Sequence, residues 1–391
     1  MRMPVFRRTK RRLLVLTGLL LSSILFAACS EPASILDVAG PVADSERTMF
    51  YIVIVIAAIV FIGVEGALIY SVVRFRARPD TPNPRQLHGD MRLELLWTVI
   101  PSFILLIILV FTIRGLVQVA PEAEPTDGKK VNVVAVGHQW WWEFYYKDYQ
   151  FSTADSLVIP TGATIHVDLF SNNVLHSFWV PNLTGKTDVV SGHNNSRWFI
   201  ADKVGTYIGI CTEYCGTQHG NMRFNVVAQN PDAFQTWVHT QQYQKENVAQ
   251  DATVNPEASP DKYSAAKGKA VFLNSCKTCH GIVGLKDEKG NVVVDHYPNT
   301  QKSCNTKDEQ ASECPIGPNL THFGSRDLIA GGVLEHDPKG CADPASPTLY
   351  ETCTLAQWLK DPGGIKPGND MSVSLNDEQI RDLVAYLETL K

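Results

Sequence analysis

Cys211 to Met222 reads CTEYCGTQHGNM, and the rest of the chain is understood from it. Two cysteines stand four apart, a histidine follows four later, and a methionine three after that. Thiolate, imidazole and thioether make a soft ligand set, which suits copper better than magnesium, calcium or manganese. A zinc site more often adds further cysteine or histidine, and a methionine ligand speaks against it. A lone blue-copper site takes one cysteine, two histidines and a weak axial methionine. Here there are two cysteines, and both can bridge. Two bridging thiolates between two coppers account for the second cysteine, and each metal then needs its own imidazole. His176, in VLHSFWVP at the end of an alternating run, is the candidate for the second one. The competing reading is a Cys211–Cys215 disulfide with an unrelated histidine and methionine nearby.

This constellation resembles the dinuclear copper centre of the cytochrome c oxidase subunit II family. The resemblance implies that Cys211 and Cys215 bridge, with His176 and Met222 completing one copper. His219 and the backbone carbonyl of Glu213 complete the other. The Glu213 side chain would also help bind a magnesium ion shared with the large subunit. Around these residues, Val131 to Ala228 reads as all-β, with short alternating runs such as TIHVDLF between turn residues. About seven strands fit a small sandwich or barrel, and the resemblance makes it cupredoxin-like. The ligand loop then joins two late strands, with His176 on a neighbouring loop at the same end. In GHQWWWEFYY, Trp140, Trp141 and Trp142 cannot all face one core from a strand, because side chains alternate. At least one is expected to be exposed or at an interface. The family match implies that Trp140 lies on the surface above the coppers, where electrons enter. Packing against the membrane subunit suits Trp141 or Trp142 better. Asp188 matches a family acid near the subunit interface.

The chain has 391 residues, room for two or three domains, and a formal net charge of −5. That charge gives no basis for nucleic-acid binding. Residues 1–28 have the form of an export signal, with Arg7, Arg8, Lys10, Arg11 and Arg12 before an apolar run. FAAC, ending at Cys29, resembles a bacterial lipoprotein cleavage site, which implies lipidation of Cys29; the alternative is an uncleaved anchor. Phe50–Val73 and Leu95–Ile113 are apolar runs near the ~20 residues that cross a bilayer core. Between them Arg74, Arg76, Arg78, Arg85 and Arg92 outnumber Asp80, Asp90 and Glu94, which marks this loop as cytoplasmic. The reading is a hairpin in a bacterial inner membrane with its C-terminal domains on the periplasmic side. Glu65 falls within the first span, where an ionised group is costly unless it is paired or faces protein. A partner subunit is its expected neighbour. Glu94, in ELLWTVIP, is either a solvated acid at a helix N-terminus or, as the resemblance implies, the entrance of a proton path.

Cys276, Cys279 and His280 form C-x-x-C-H, the attachment motif of a c-type haem. Two thioethers fix the porphyrin and the adjacent histidine is placed to bind iron. Among six methionines, Met371 in KPGNDMS is the one left by elimination as the opposite ligand, which raises the haem potential. His296, His322 and His336 are the alternatives. GPNLTHFGSR and KPGNDM also match the cytochrome c pattern, and Asn376 with Gln379 forms a capping box before the last helix. The segment from Leu285 to Pro315 is an insertion relative to that pattern. Four cysteines remain, in a compartment that permits disulfides. The local pairings are Cys304 with Cys314 and Cys341 with Cys353.

The expected architecture is multidomain: a two-helix transmembrane hairpin, an all-β cupredoxin-like sandwich and an all-α class I cytochrome c domain. The boundaries are 1–28 signal, 29–48 exported segment, 49–115 hairpin and 116–130 linker. They continue with 131–228 copper domain, 229–262 helix and linker, and 263–391 cytochrome c domain. The resemblance to subunit II with a fused cytochrome c implies a subunit of a terminal oxidase that reduces dioxygen to water elsewhere. Its cofactors would be dinuclear copper, haem c and shared magnesium. Its partners would be haem-copper subunit I, other oxidase subunits, membrane lipid, and an external cytochrome or respiratory complex as donor. Two other readings stay open: the equivalent subunit of a nitric oxide reductase, and a tethered copper-delivery protein.

Overall fold

The structure is a computed structural model that describes residue 18 and residues 33–76, 89–171, 173–251, 263–285 and 317–391. The expected signal and Cys29, the loop residues Arg78 and Arg85, linker residues 252–262, His296, Cys304 and Cys314 lie outside the described residues.

Two long helices come first, α1 (Pro41–Arg74) and α2 (Met91–Val119). Pro41 starts α1, where a missing N–H costs nothing. Asp90 caps α2, its carboxylate accepting the Arg92 N–H at 2.9 Å. The helices pack on each other as a hairpin, and large apolar side chains such as Ile62, Val73, Leu105 and Val117 stand exposed along them. So much apolar surface belongs against lipid or partner helices. Both helices run past the expected spans, to 34 and 29 residues, because helical polar residues continue the turn beyond each apolar run. The base of α1 is stitched to the next domain. Ala39 N–H donates to Asn182 O at 2.8 Å, Asp202 N–H to Ala39 O at 2.7 Å, and Arg197 pairs with Glu46 at 2.9 Å.

Ten strands follow: β1 (Lys130–His138), β2 (Trp141–Tyr146), β3 (Phe151–Ala154), β4 (Ser156–Pro160) and β5 (Thr164–Ser171), then β6 (His176–Val180), β7 (Thr184–Val189), β8 (Asn195–Phe199), β9 (Gly205–Cys211) and β10 (Arg223–Gln229). They form two five-stranded sheets, ordered β3-β2-β1-β5-β8 and β4-β10-β9-β6-β7. The count exceeds the seven expected because β3, β4, β7 and β8 are short or polar and show little alternation. Val131, Val133 and Ala135 of β1 point inward, as every second residue must. They meet a core of fully buried Trp142, Phe144, Phe178 and Phe224. The result is the cupredoxin-like sandwich expected of this segment.

A helix, α3 (Pro231–Asp251), then lays Phe234 and Val238 onto the sandwich core. It has 21 residues, longer than the short PDAFQTWVHTQQ segment suggested. The C-terminal module is helical apart from one small hairpin: α4 (Ala265–Ser275), β11 (Leu328–Ile329), β12 (Leu334–Glu335), α5 (Leu349–Thr352), α6 (Thr354–Lys360), α7 (Pro362–Ile365) and α8 (Asp377–Leu387). Helices α4 and α8 cross at Gly268, where a Cβ would lie 1.9 Å from Asp382 O. The Asn376–Gln379 capping box forms reciprocally, at 2.9 Å each way. Cys341 and Cys353 are joined by a disulfide.

Candidate metal centre and the cleft beside it

Strands β9 and β10 are antiparallel neighbours, and the loop between them begins at Cys211, the last residue of β9. The Cys211 N–H donates to Met222 O at 3.1 Å, closing the mouth of the loop, and Thr212 N–H donates to Ser177 O of β6 at 3.1 Å. All six predicted residues converge there. The two sulfurs are 3.8 Å apart, and both cysteines are unbonded, contrary to the disulfide alternative. His176 Nδ1 is 3.8 Å from Cys211 Sγ, and His219 Nδ1 is 3.8 Å from Cys215 Sγ. Met222 Sδ lies 3.9 Å from Cys215 Sγ, and the Glu213 carbonyl 3.3 Å from Cys211 Sγ. His176 opens strand β6 and is fully buried, not on a loop as expected, because its strand continues to pair with β7 up to Val189.

A second set of residues fixes these donors. Asn173 Oδ1 is 3.2 Å from His176 Nε2, so that nitrogen carries the proton and Nδ1, on the Cys211 side, is left as the nitrogen available to a metal. Gly137 must be glycine, since a Cβ would lie 2.7 Å from the His176 ring. Gln139 Nε2 and Trp140 Nε1 both donate to Cys215 O, at 2.8 and 2.9 Å. The two thiols share their protons unequally. A hydrogen bond from Cys215 pulls Cys211 well below the usual thiol range, and the same bond pushes Cys215 far above it. A paired soft donor set, with both cysteines, His176 and Met222 buried, fits two coppers.

Beside this loop lies a cleft of about 230 Å³. Cys276, Cys279, His280 and Met371 line it from the C-terminal module, and Trp140 and Trp141 from the sandwich. His280 Nδ1 donates to Pro318 O at 2.9 Å, which leaves Nε2 as the acceptor nitrogen. Gly317 packs flat on that ring, where a Cβ would be 2.4 Å away. Burial pushes the Cys276 thiol up to about 11 and moves His280 below its ordinary value. Two unpaired thiols, an imidazole and a thioether around one largely apolar cleft fit a covalently held haem. The two described alternative histidines are elsewhere. His336 is bonded to Arg326 O and to Glu388, both at 2.8 Å, and His322 lines a separate pocket beside Asn319 and Ser325.

The three tryptophans depart from expectation, being 8%, 7% and 0% exposed in order along the chain. Trp142 is core, not a subunit contact. Trp141 stacks on His138 with ring centroids 4.1 Å apart. Trp140 is not on an open surface, because the chain's own C-terminal module covers it. Sequence reasoning did not single out the residues that make this junction. Lys366 is 4% exposed and its Nζ donates to Trp140 O at 2.5 Å and to Ala330 O at 2.6 Å. Asp155, 3% exposed, accepts the Trp142 N–H at 2.9 Å. Burial raises Asp155 to about 6 and lowers Lys366 to about 8. The only sequence hint was Lys366's place five residues before Met371.

The remaining candidates stay apart. Glu213 belongs to no group of three potential ligand side chains among the described residues. The other such group, His336, Cys341 and Glu388, is committed to a disulfide and hydrogen bonds. Glu94 is exposed in the first turn of α2, Glu65 is half-buried within α1, and Asp188 is exposed on β7.

A family model of the cytochrome c oxidase subunit II transmembrane domain matches residues 31–114, and one of its periplasmic domain matches residues 150–229. Cytochrome c oxidase subunit 2 of Bacillus sp. (strain PS3) is 33% identical over 97% of each chain. That of Alkalihalophilus pseudofirmus is 32% identical over 92% of each chain. Among solved structures, the periplasmic domain of cytochrome oxidase subunit II of Bradyrhizobium japonicum is 26% identical, with a TM-score of 0.29, covering 31% of this chain and 99% of that one.

Proposed function

Because this chain belongs to the cytochrome c oxidase subunit 2 family, electron-transfer subunits of a membrane terminal oxidase, we propose that it relays single electrons from a haem on its C-terminal module to a copper pair on the Cys211–Met222 loop. The recipient is the haem-copper subunit I, where dioxygen is reduced to water. An external cytochrome or respiratory complex is the donor, and the seat is a bacterial inner membrane. The observation that carries this reading is the convergence of His176, Cys211, Glu213, Cys215, His219 and Met222 at 3.3 to 3.9 Å between neighbouring donor atoms.

When bound, a copper pair and a haem would each supply a one-electron couple. The chain's own residues do the rest. Cys211, Cys215, His176, Met222, His219 and the Glu213 carbonyl would hold the two metals between them. Asn173 holds the proton on His176 Nε2. The two sheets keep these donors from rearranging, so little nuclear motion accompanies a change of charge. Cys276 and Cys279 would hold the porphyrin by thioethers, and His280 and Met371 would supply its iron with a nitrogen and a sulfur. Trp140 touches both sites, bonded to the Cys215 carbonyl and bordering the cleft. The Glu213 side chain would join a magnesium site only with groups from subunit I, and Glu94 stands at the end of α2 where a proton path could begin.

Metal and haem analysis of the purified complex, with optical and paramagnetic resonance spectra, tests this reading. Two coppers and one c-type haem per chain are expected, with a mixed-valence thiolate signal. One copper per chain, or no covalent haem, overturns it.

A further inference from the structure

Resting on that reading, we propose that Lys366 is a clamp that seats the C-terminal module on the copper loop and closes Trp140 to any outside donor protein. Lys366, from the C-terminal module, donates to Trp140 O of the sandwich at 2.5 Å and to Ala330 O of its own module at 2.6 Å. The side chain therefore satisfies a sandwich main-chain group that the junction would otherwise bury unpaired, which is the costly arrangement. The buried Asp155 of the sandwich borders the same cleft as Lys366 and Gly331, so the ammonium does not enter the junction without an acid on the opposite side.

The backbones around the clamp are shaped for contact. Gln218, next to His219, donates to Pro367 O at 2.8 Å, and the Arg223 N–H donates to Gly331 O at 3.4 Å. Gly331 and Gly332 have φ of 67° and 81°, the left-handed region that favours glycine. A Cβ at Gly331 would lie 2.1 Å from Trp140 O, and one at Gly332 2.7 Å from Arg223 O. Glycine thus stands at the two places where main chains of the domains touch. With Trp140 only 8% exposed beneath this seat, an outside protein has no face of its ring to dock against. An external one-electron donor must then engage the C-terminal module, and Trp140 serves the internal step alone.

The test uses the assembled oxidase with wild-type chain and the Lys366→Met variant. Deuterium exchange is read at the Arg223 amide, and Trp140 oxidation by hydroxyl radical is read by mass spectrometry. In wild type the amide is expected to be protected and Trp140 unreactive. Lys366→Met is expected to speed exchange of this amide at least ~10-fold, equivalent to ~1.4 kcal/mol, and to make Trp140 reactive, with both metal spectra unchanged. A reactive Trp140 in wild type, or an unchanged amide and Trp140 in the variant, overturns the clamp. If Lys366→Met does not assemble, Gly331→Ala intrudes on the same seat and decides: faster Arg223 exchange supports the clamp, and an unchanged rate overturns it. Copper and haem contents are measured separately, so their absence would sink the functional reading while leaving the amide result to stand alone.

Discussion

Asn173 Oδ1 lies 3.2 Å from His176 Nε2, and this bond between residues three apart turns the other ring nitrogen toward the Cys211 sulfur at 3.8 Å. A histidine that has lost such a partner can rotate or change tautomer. Asn173→Ala is expected to weaken copper binding by about 10–100-fold. Titration against a copper chelator measures it, and unaltered affinity would remove Asn173 from the site.

Trp140 makes two separable contributions to stability. Trp140→Phe keeps most of the ring and loses the bond to Cys215 O, which Gln139 still satisfies; the expected cost is about 1 kcal/mol. Trp140→Ala empties the junction and is expected to cost about 3–5 kcal/mol. Denaturant melts of the two variants should differ by this margin, and equal melts would mean that the ring fills no space.

The junction also titrates. Asp155 is raised from 3.8 to about 6, so its folded form holds a proton more tightly than its unfolded form. That contribution is fully present below pH 3.8 and is lost as pH rises through about 6, a change on the order of 3 kcal/mol at ~1.4 kcal/mol per unit. Lys366, lowered to about 8, works in the other direction: stability returns as pH climbs from about 8 toward 10.5. Thermal midpoints of wild type minus those of Asp155→Asn should therefore fall between pH 4 and 6. A flat difference across that window would show that Asp155 is ionised without penalty.

The Cys341–Cys353 bond closes a short loop, with a separation of 12 residues. Replacing both cysteines with serine is expected to lower the stability of the C-terminal module by about 2–4 kcal/mol. Melting of the C-terminal module followed by circular dichroism would register it, and an identical midpoint with and without reductant would contradict it.

Gly268 is the point of closest approach between α4 and α8, with a Cβ position 1.9 Å from Asp382 O. Gly268→Ala forces the helices apart and is expected to cost at least about 1–3 kcal/mol. A variant that melts with wild type would mean that the crossing adjusts freely.

The ligand residues were legible in the sequence because each is a rare chemical type at a short fixed spacing. Cys211, Cys215, His219 and Met222 sit on one loop, and a loop between hydrogen-bonded strands has little freedom to scatter them. The two apolar helices were legible for a similar reason: a run of that length has few places to go except lipid. The weak strands were not legible, since β3, β4, β7 and β8 gain their pairing from neighbours more than from their own pattern.

Residue identity and local spacing alone determined the donor sets: soft donors of the kind copper takes, paired thiols with a histidine of the kind a haem takes, and a hairpin for the membrane. Only the tertiary structure decided how the sandwich and the C-terminal module face each other. Lys366 and the Trp140 carbonyl it binds are separated by more than half the chain, and Lys366 carries no local signature, so nothing in its neighbourhood announces their meeting. Its role comes from burial at a junction of two domains, where a charge acquires meaning from what lies across from it.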